Sequence, residues 1–248
     1  MPQNLVRISG LHAIEEALRT GCSGVLYLSK KSPRIEALRQ LAESREVRVV
    51  WTDDRAIARK AGESKARGAL LEVRESSVSL DRNLPQSLAE IRTDSALILL
   101  LDGITDPHNL GAILRSADQL AVDLVVLTAR RSARETETVI RSSAGASAYV
   151  PLTTVANISQ AIELAKKHGF WVYGADPSGQ RLDSIDARGK AALVLGSEGT
   201  GLHRLVRERC DLLVRIPAAG HVDSFNVSVA AGILMFEVRR QQGFPFLS

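Results

Sequence analysis

Residues 216–238 read IPAAGHVDSFNVSVAAGILMFEV and join the end of an apolar strand to a loop and then to a helix. Pro217 and Gly220 interrupt the strand pattern and predict the loop. Ser224 and Asn226 are both suited to cap the helix that follows. The same loop could instead offer side-chain and backbone hydrogen bonds to a polar ligand. The helix itself is predicted from apolar residues at helical spacing, namely Val227, Ala230, Ala231, Leu234 and Val238.

A parallel sheet is predicted for the region that ends in this stretch. Residues 96–101 form an uninterrupted apolar run, which is typical of a central strand buried on both faces. Further strand patterns occupy residues 122–127, 148–152, 170–173 and 191–195, and helical patterns occupy residues 110–121, 135–141 and 158–165. The sequence therefore predicts an α/β fold with helices on both faces of a parallel sheet. Ligands of such folds bind beyond the carboxyl ends of the strands.

The first 75 residues alternate helix and strand patterns and predict a separate, compact α/β unit. They hold 14 Lys and Arg against 10 Asp and Glu, which accounts for the whole net charge of +4. A basic module beside a neutral one indicates a polyanion-binding domain, although such an excess is also common on solvated surfaces. Residues 76–93 are polar and lack periodicity, so we predict a linker there and a second domain over residues 94–248.

Composition excludes several classes of protein. Apolar residues make up 45% and charged residues 24% of the chain, which is typical of a globular domain and not of a disordered one. No apolar run reaches the length of a membrane span, and the first residues lack the apolar core of a signal peptide, so we expect a cytoplasmic protein. Cys22 and Cys210 are far apart and lack metal-ligand spacing, so we expect both to be reduced and structural.

Two loops that follow predicted strands carry polar side chains. Asn109 and Arg115 lie in the first turns of a helix and could hold a phosphate or a ribose. Alternatively, Asn109 caps the helix and Arg115 makes a surface ion pair. In the second loop, residues 196–201 read GSEGTG, and their glycines permit a close approach to a ligand beside Glu198. Their order fails as a dinucleotide fingerprint and as a phosphate loop, which argues against a nucleotide-dependent dehydrogenase.

Histidine and arginine side chains surround these loops. Three histidines flank them without the spacing of a zinc site, and we interpret them as loop residues or RNA contacts: His108, His203 and His221. A basic turn follows the strand at residues 122–127 and is either a solvated turn or a contact to nucleic-acid phosphates: Arg130, Arg131 and Arg134.

Three motifs taken together resemble those of the TrmH family of SPOUT-class RNA ribose methyltransferases. They are Asn109-x-Gly111-x-x-x-Arg115, the sequence LGSEG at residues 195–199, and Ile216-Pro217 followed by SFNVS at residues 224–228. Residues 102–117 and the C-terminal stretch look most like bacterial enzymes that methylate a guanosine 2′-hydroxyl in large-subunit ribosomal RNA. The chain departs from the family at Phe225, where leucine is usual, and at residues 66–68 (ARG), where His-Gln-Gly is usual.

The resemblance implies an RNA (guanosine-2′-O-)-methyltransferase that uses S-adenosyl-L-methionine and needs no metal. It implies an L30e-like RNA-binding domain over residues 1–75 and a catalytic SPOUT domain that ends in a deep trefoil knot. The positions implied for cofactor binding are Leu195, Gly196, Ile216 and Phe225. The positions implied for catalysis are Asn109, Arg115, Glu198, Ser224 and Asn226, with Glu198 either catalytic or a structural ligand of backbone amides.

The resemblance further implies a homodimer that acts on large-subunit ribosomal RNA. The final helix, predicted over residues 227–240, would supply the dimer interface, or its apolar face would simply complete the core. Two other functions stay open at this point. One is ribose methylation of transfer RNA, and the other is a non-catalytic RNA-binding or ribosome-assembly protein.

Overall fold

The computed structural model describes residues 5–19, 22–62, 68–74, 83–128, 146, 149–220 and 224–247. These residues form two compact units. The first contains the described residues up to 74 together with Ala146 and Tyr149, and the second contains residues 83–128 and 150–247. In the part of the chain described, no helix has both the length and the apolar composition needed to cross a bilayer.

The first unit is a four-stranded mixed sheet with three helices. Its elements are β1 (Leu5–Ser9), α1 (Leu11–Arg19), β2 (Gly24–Leu28), α2 (Pro33–Ser44), β3 (Arg48–Trp51), α3 (Asp54–Ala61) and β4 (Ala69–Arg74). The strand order is β1-β4-β2-β3, in which β4 runs antiparallel to both neighbours and β2 runs parallel to β3. Helix α2 begins after Ser32, whose hydroxyl accepts a hydrogen bond from the backbone N–H of Ile35 at 3.3 Å.

The second unit is a six-stranded sheet covered by helices. Its elements are α4 (Leu84–Glu90), β5 (Leu97–Asp102), α5 (Pro107–Gln119), β6 (Leu124–Thr128), β7 (Leu152–Val155), α6 (Ile158–Lys167), β8 (Trp171–Arg181), β9 (Ala191–Gly196), α7 (Arg204–Arg209), β10 (Leu212–Arg215) and α8 (Val227–Gln241). The strand order is β10-β8-β9-β5-β6-β7, and every neighbouring pair is parallel. The predicted α/β fold with a parallel sheet is therefore confirmed.

The central strands are buried on both faces, as their uninterrupted apolar sequences predict. Every residue of β5 and of β9 is buried. Because side chains alternate across a strand, Ile98 and Leu100 join a cluster with Leu88 of α4 and Ile162 of α6. The other face is covered by α8, which contacts β5 and β9 and packs against α5. This layering fixes the start of α5 beside the carboxyl ends of β5 and β9.

The structure differs from the sequence prediction in five elements. Helix α7 (Arg204–Arg209) was not predicted. Strand β1 was not predicted, the strand expected at residues 148–152 lies at Leu152–Val155, and the strand expected at 170–173 continues as Trp171–Arg181. The region predicted as a linker contains helix α4, because Pro85 suits a first helical turn and Leu84 and Leu88 are buried. The helix predicted at residues 135–141 lies outside the described residues.

Candidate functional site

The site is built where two central strands end side by side. Asp102 is the last residue of β5 and pairs in register with Gly196, the last residue of β9. Helix α5 begins a few residues after Asp102, capped by the side chain of Asp106, which accepts from the backbone N–H of His108 at 2.9 Å. The first turn of α5 thus carries Asn109 to the same edge of the sheet as the loop after β9.

Three predicted side chains meet there in one hydrogen-bonded cluster, which we call the amide–carboxylate cluster: Asn109, Glu198 and Asn226. The Asn109 amide donates to Glu198 Oε1 at 2.7 Å. The Asn226 amide donates to the same oxygen at 2.9 Å and to Asn109 Oδ1 at 3.0 Å. Asn109 is buried, whereas Glu198 and Asn226 are exposed. Residues separated by 117 positions in the chain are therefore held as one unit with an exposed side.

Asn226 serves the cluster and the final helix at once. Its Oδ1 accepts hydrogen bonds from the backbone N–H groups of Ser228 at 2.9 Å and Val229 at 3.4 Å, which caps α8. Its amide nitrogen is then left to donate to the cluster. The sequence offered capping and ligand binding as alternatives, and this geometry makes them compatible. The alternative that Asn109 caps α5 is wrong, because Asp106 is the cap.

Arg115 lies on α5 six residues beyond Asn109 and is exposed. Its guanidinium makes no ion pair or hydrogen bond with any described residue. The surface ion pair that the sequence left open is thus not formed within the described chain. The five donors of the guanidinium are available to a ligand that carries phosphate or oxyanion acceptors.

Ser224 is exposed and does not join the cluster. The serine that does contact it is Ser228, whose hydroxyl donates to Asn226 Oδ1 at 2.6 Å. The sequence contains a signal for this contact, since a serine two residues after an asparagine cap sits in the first turn of the helix. His221 and Asp223, which flank the same loop, lie outside the described residues.

The positions implied for cofactor binding line the ends of β9 and β10. Leu195 is 1% exposed, so its side chain belongs to the core and only its backbone could meet a ligand. The packing of the protein itself explains the glycine at position 196, because a Cβ there would stand 2.1 Å from the carbonyl carbon of Gly201. The loop folds back through paired bonds between Ser197 and Gly201, at 3.1 and 3.0 Å. Close approach to its own loop therefore requires glycine at position 196.

The loop after β10 presents open backbone beside apolar side chains. Ile216 is half-buried and Phe225 is 41% exposed. Between them, residues 217–220 are exposed, and none of their backbone groups is paired with a described residue. Exposed, unpaired N–H and C=O groups next to apolar side chains are the features that a ligand with a polar edge and a flat apolar ring requires.

Two polar contacts at these strand ends were not predicted. Asp102 Oδ2 accepts from both the backbone N–H and the Nδ1 of His203, at 3.0 and 2.8 Å. In the middle of β8, Asp176 pairs with Arg207 of α7 at 3.3 Å and accepts from the hydroxyl of Ser178 at 2.6 Å. Sequence spacing gives no signal for either pair, because the partners come from separate strand–loop segments.

Within the described ranges, no three His, Cys, Asp or Glu side chains group as metal ligands would. Both cysteines are free thiols, and burial raises the pKa of Cys210 to about 12. A thiol held in that form is a poor nucleophile at neutral pH.

The sequence matches the model of a family described as the SpoU rRNA Methylase family over residues 96–236. An uncharacterized tRNA/rRNA methyltransferase of Borreliella burgdorferi is 42% identical over 218 residues, covering 86% of this chain and 96% of that protein. The 23S rRNA (guanosine-2′-O-)-methyltransferase RlmB of Pseudomonas aeruginosa is 39% identical over 241 residues, covering 95% and 96% of the two chains.

The fold is also that of a solved structure. The AdoMet-bound rRNA methyltransferase of Sinorhizobium meliloti superposes with a TM-score of 0.80 and 24% identity, covering 96% of this chain and 87% of that one. At this identity the likeness establishes the shared architecture, in which both units of the present chain are included.

Proposed function

This chain belongs to the SpoU rRNA methylase family, and we propose that it transfers a methyl group from S-adenosylmethionine to the 2′-hydroxyl of a guanosine in 23S ribosomal RNA. The observation that carries the proposal is the near-complete match to the Pseudomonas aeruginosa enzyme, which is named for this reaction. The amide–carboxylate cluster supports it independently, because the motif residues converge at the strand ends where such folds bind ligands.

The loop after β10 and the end of β9 fit S-adenosylmethionine. We assign its adenine to the apolar surfaces of Ile216 and Phe225, and its polar edge to the open backbone of residues 217–220 and of Leu195 and Gly196. When bound, the cofactor supplies an electrophilic methyl group. The phenylalanine at position 225, where relatives usually have leucine, offers a flat ring for stacking against adenine.

Arg115 is proposed to bind the phosphate next to the target ribose and to stabilise the oxyanion that develops at the 2′-oxygen. Its guanidinium is exposed and pairs with none of the residues that the structure describes, which supports this role. An arginine is a poor proton acceptor at neutral pH, because its ordinary pKa is about 12.5 or higher. Arg115 therefore contributes positive charge and hydrogen bonds, and the proton must go elsewhere.

Glu198, Asn109 and Asn226 are proposed to position the two loops around the ribose. Glu198 Oε1 is occupied by two amide donors, which supports the structural role for this carboxylate over direct catalysis. Ser224 is exposed at the start of the same segment, and we propose that it hydrogen-bonds the RNA or the cofactor. The exposed sides of these residues leave room for a nucleotide to approach.

We propose that the chain consists of an N-terminal domain over residues 1–75, a linker over residues 76–93 and a catalytic domain over residues 94–248. The first unit is proposed to be the L30e-like RNA-binding domain. Its support is basic and aromatic surface at the carboxyl ends of β2 and β3, where Trp51 is exposed near Lys30 and Lys31. Exposed aromatic rings beside cations bind unpaired bases and phosphates. The same edge holds Gly68, whose N–H donates to Asp54 at 3.0 Å and whose φ of +87° suits glycine.

The second unit is proposed to end in a trefoil knot and to dimerise through α8. For the knot, the supporting feature is the return of the chain after β10 to the loop after β9, where Asn226 meets Glu198.

For the dimer, the supporting feature is a stripe of exposed apolar side chains on α8, beside the face of the helix that is buried: Val229, Ile233 and Phe236. Such a stripe is typical of a subunit interface. Sedimentation should give a dimer for the native protein and a monomer for Phe236→Asp; a native monomer at micromolar concentration would contradict the proposal.

The test of function is methyl transfer from labelled S-adenosylmethionine to unmodified 23S ribosomal RNA and unmodified transfer RNA, assayed in parallel with Arg115→Ala as the matched inactive variant. Label recovered as 2′-O-methylguanosine from 23S ribosomal RNA, absent with the variant, is the expected result. Label in transfer RNA would move the target and keep the chemistry. Failure to bind the cofactor would leave the alternative of a non-catalytic RNA-binding protein. Because ribosomal RNA is the proposed substrate, we also propose a cytoplasmic location.

A further inference from the structure

Methylation of a 2′-hydroxyl needs an acceptor for its proton, and the groups assigned so far do not supply one. An arginine side chain is a poor proton acceptor at neutral pH, and the amides of Asn109 and Asn226 do not titrate. Glu198 Oε1 is taken by two amide donors. Among the described residues at this edge of the sheet, the imidazole of His203 is a candidate that none of the motifs includes.

His203 is held in the geometry of a proton acceptor. Its Nδ1 lies 2.8 Å from Asp102 Oδ2, and the same oxygen accepts from the His203 backbone N–H at 3.0 Å. The Asp102 side chain is only 8% exposed, whereas that of His203 is 67% exposed. A carboxylate at Nδ1 holds the neutral ring with its proton on Nδ1, so that the lone pair of Nε2 faces outward.

The ring lies next to the assigned site. A Cβ placed on Gly103 would stand 3.5 Å from His203 Cε1 and 3.6 Å from Ser197 Cβ, so both side chains border the same point. Ser197 immediately precedes Glu198 of the amide–carboxylate cluster. Asp102 itself is paired in register with Gly196, at the strand end assigned to the cofactor.

The other charged groups on the elements that meet His203 are engaged elsewhere. On α7, Arg204 pairs with Glu208 at 2.6 Å and Arg207 pairs with Asp176 at 3.3 Å. Before α5, the Asp106 carboxylate caps the helix by accepting a hydrogen bond from the backbone N–H of His108. Asp102 is therefore the charge that orients this imidazole.

We propose that His203 is the general base of the methyl transfer and that Asp102 is its positioning residue; this inference rests on the proposed function. The 2′-O–H bond breaks as His203 Nε2 takes the proton, and the oxygen electron pair forms the new bond to the methyl carbon. The bond from that carbon to sulfur breaks, and its electron pair stays on sulfur, which leaves S-adenosylhomocysteine. The imidazolium, stabilised by Asp102, then releases its proton to water.

The test compares His203→Gln with His168→Gln, a matched histidine at the end of α6, in single-turnover methyl transfer over a range of pH. His203→Gln should lower the rate about 10²- to 10⁴-fold and should remove an ionisation from the pH–rate profile. Its affinities for S-adenosylmethionine and for the RNA should stay within about twofold of native by titration calorimetry and filter binding, as one hydrogen bond at a wet site permits. His168→Gln should behave as native.

A second variant and a spectrum guard against a folding defect in the first. Asp102→Asn should retain cofactor binding, lose most of the rate and shift the pH–rate profile, because an amide no longer selects the Nδ1–H tautomer. In ¹⁵N-histidine spectra of the native protein, the signals lost in His203→Gln should be those of that tautomer.

Three outcomes would overturn the assignment. They are a near-native rate for His203→Gln, a rate loss matched by an equal loss of RNA affinity with an unchanged pH–rate profile, or the opposite tautomer in the native protein. An active native enzyme in any of these experiments would leave the proposed methyltransferase function standing. An inactive native enzyme would instead count against the proposed function itself.

Discussion

The two ends of helix α8 use hydrogen bonds in opposite ways. At its start, Asn226 caps the helix and holds Asn109 and Glu198, and the cluster is open to solvent. Near its end, Arg239 is 2% exposed and is enclosed by acceptors. One helix thus begins at a polar cluster that is open to solvent and ends near a buried guanidinium that is surrounded by hydrogen-bond acceptors.

The buried end anchors the helix to the amino edge of the sheet. Arg239 donates to the carbonyls of Leu120 at 2.9 Å and Ser95 at 2.7 Å, and to the carbonyl of Ala121. It also pairs with Asp123 at 3.1 Å. Burial lowers the pKa of Arg239, and the Asp123 carboxylate opposes that shift. Because Arg239 fixes the end of α8, the start of the helix at Asn226 can expose its hydrogen-bond donors and acceptors to a substrate.

The largest effect is expected from breaking the anchor. Arg239→Ala should lower the free energy of unfolding by about 3–5 kcal/mol, because it removes the buried cation that pairs with Asp123 and the side-chain donor of three backbone carbonyls. Urea denaturation measures the change. The matched control is Arg240→Ala, whose exposed pair with Glu237 is worth about 1 kcal/mol or less. Equal losses for the two variants would contradict the assignment of stability to the buried end.

Removing the positive charge of Arg115, on α5 beyond Asn109 of the open cluster, should lower the reaction rate and leave the stability unchanged. Arg115→Ala should reduce methyl transfer about 10²- to 10³-fold, as loss of an oxyanion donor does in other enzymes. Its free energy of unfolding should stay within about 0.5 kcal/mol of native, because the side chain is exposed and has no partner in the described part of the chain. Gln119→Ala, an exposed change on the same helix, is the control. Near-native turnover by Arg115→Lys would show that the forked guanidinium is not needed.

The dual role of Asn226 can be separated with two substitutions. Asn226→Ala removes the cap and should cost about 1 kcal/mol of stability together with activity. Asn226→Asp keeps an oxygen for the N–H groups of Ser228 and Val229 but places a second carboxylate beside Glu198. It should therefore retain the cap while losing activity. Chemical denaturation and single-turnover rates measure the two effects, and an active Asn226→Asp enzyme would show that the cluster is dispensable.

The smallest effect concerns acid stability at the anchored end. Hydrogen bonds from Arg240 lower the pKa of Glu237 from its ordinary 4.5, with a smaller contribution from Gln241 and with burial opposing both. The native state therefore binds fewer protons than the unfolded state, so this stabilisation is complete above pH 4.5 and is lost as the pH falls through the lowered pKa. Glu237→Gln should flatten the fall in stability below pH 4.5 by a few tenths of a kcal/mol. Thermal melts from pH 3 to 7 would detect it, and an unchanged slope would refute the contribution.

Local patterns predicted most of the regular structure of the second unit. The continuous apolar run at residues 96–101 predicts a strand that is buried on both faces. The spacing of Ile113, Leu114 and Ala117 predicts the helix that follows, because a helix with one buried face repeats its apolar residues every 3.6 positions. The helix over residues 84–90 was missed, since two leucines four residues apart give too short a pattern to distinguish from a polar linker. Strand β8 was predicted too short because its second half is exposed and carries Pro177 and Gly179.

The sequence by itself determined the fold class, the family motifs and the order of the polar residues Asn109, Glu198 and Asn226 along the chain. Only the tertiary structure decided that these three share hydrogen bonds, that Gly196 is required by its own loop, and that Asp102 meets His203 and Arg239 meets Asp123. The physical reason is range. Periodicity and capping are set by neighbours within a few positions. The side-chain contacts join segments tens to more than a hundred residues apart, which become neighbours only when the parallel strands align. Gly196 differs, because its neighbour Gly201 lies five positions away and is brought close by the path of the loop.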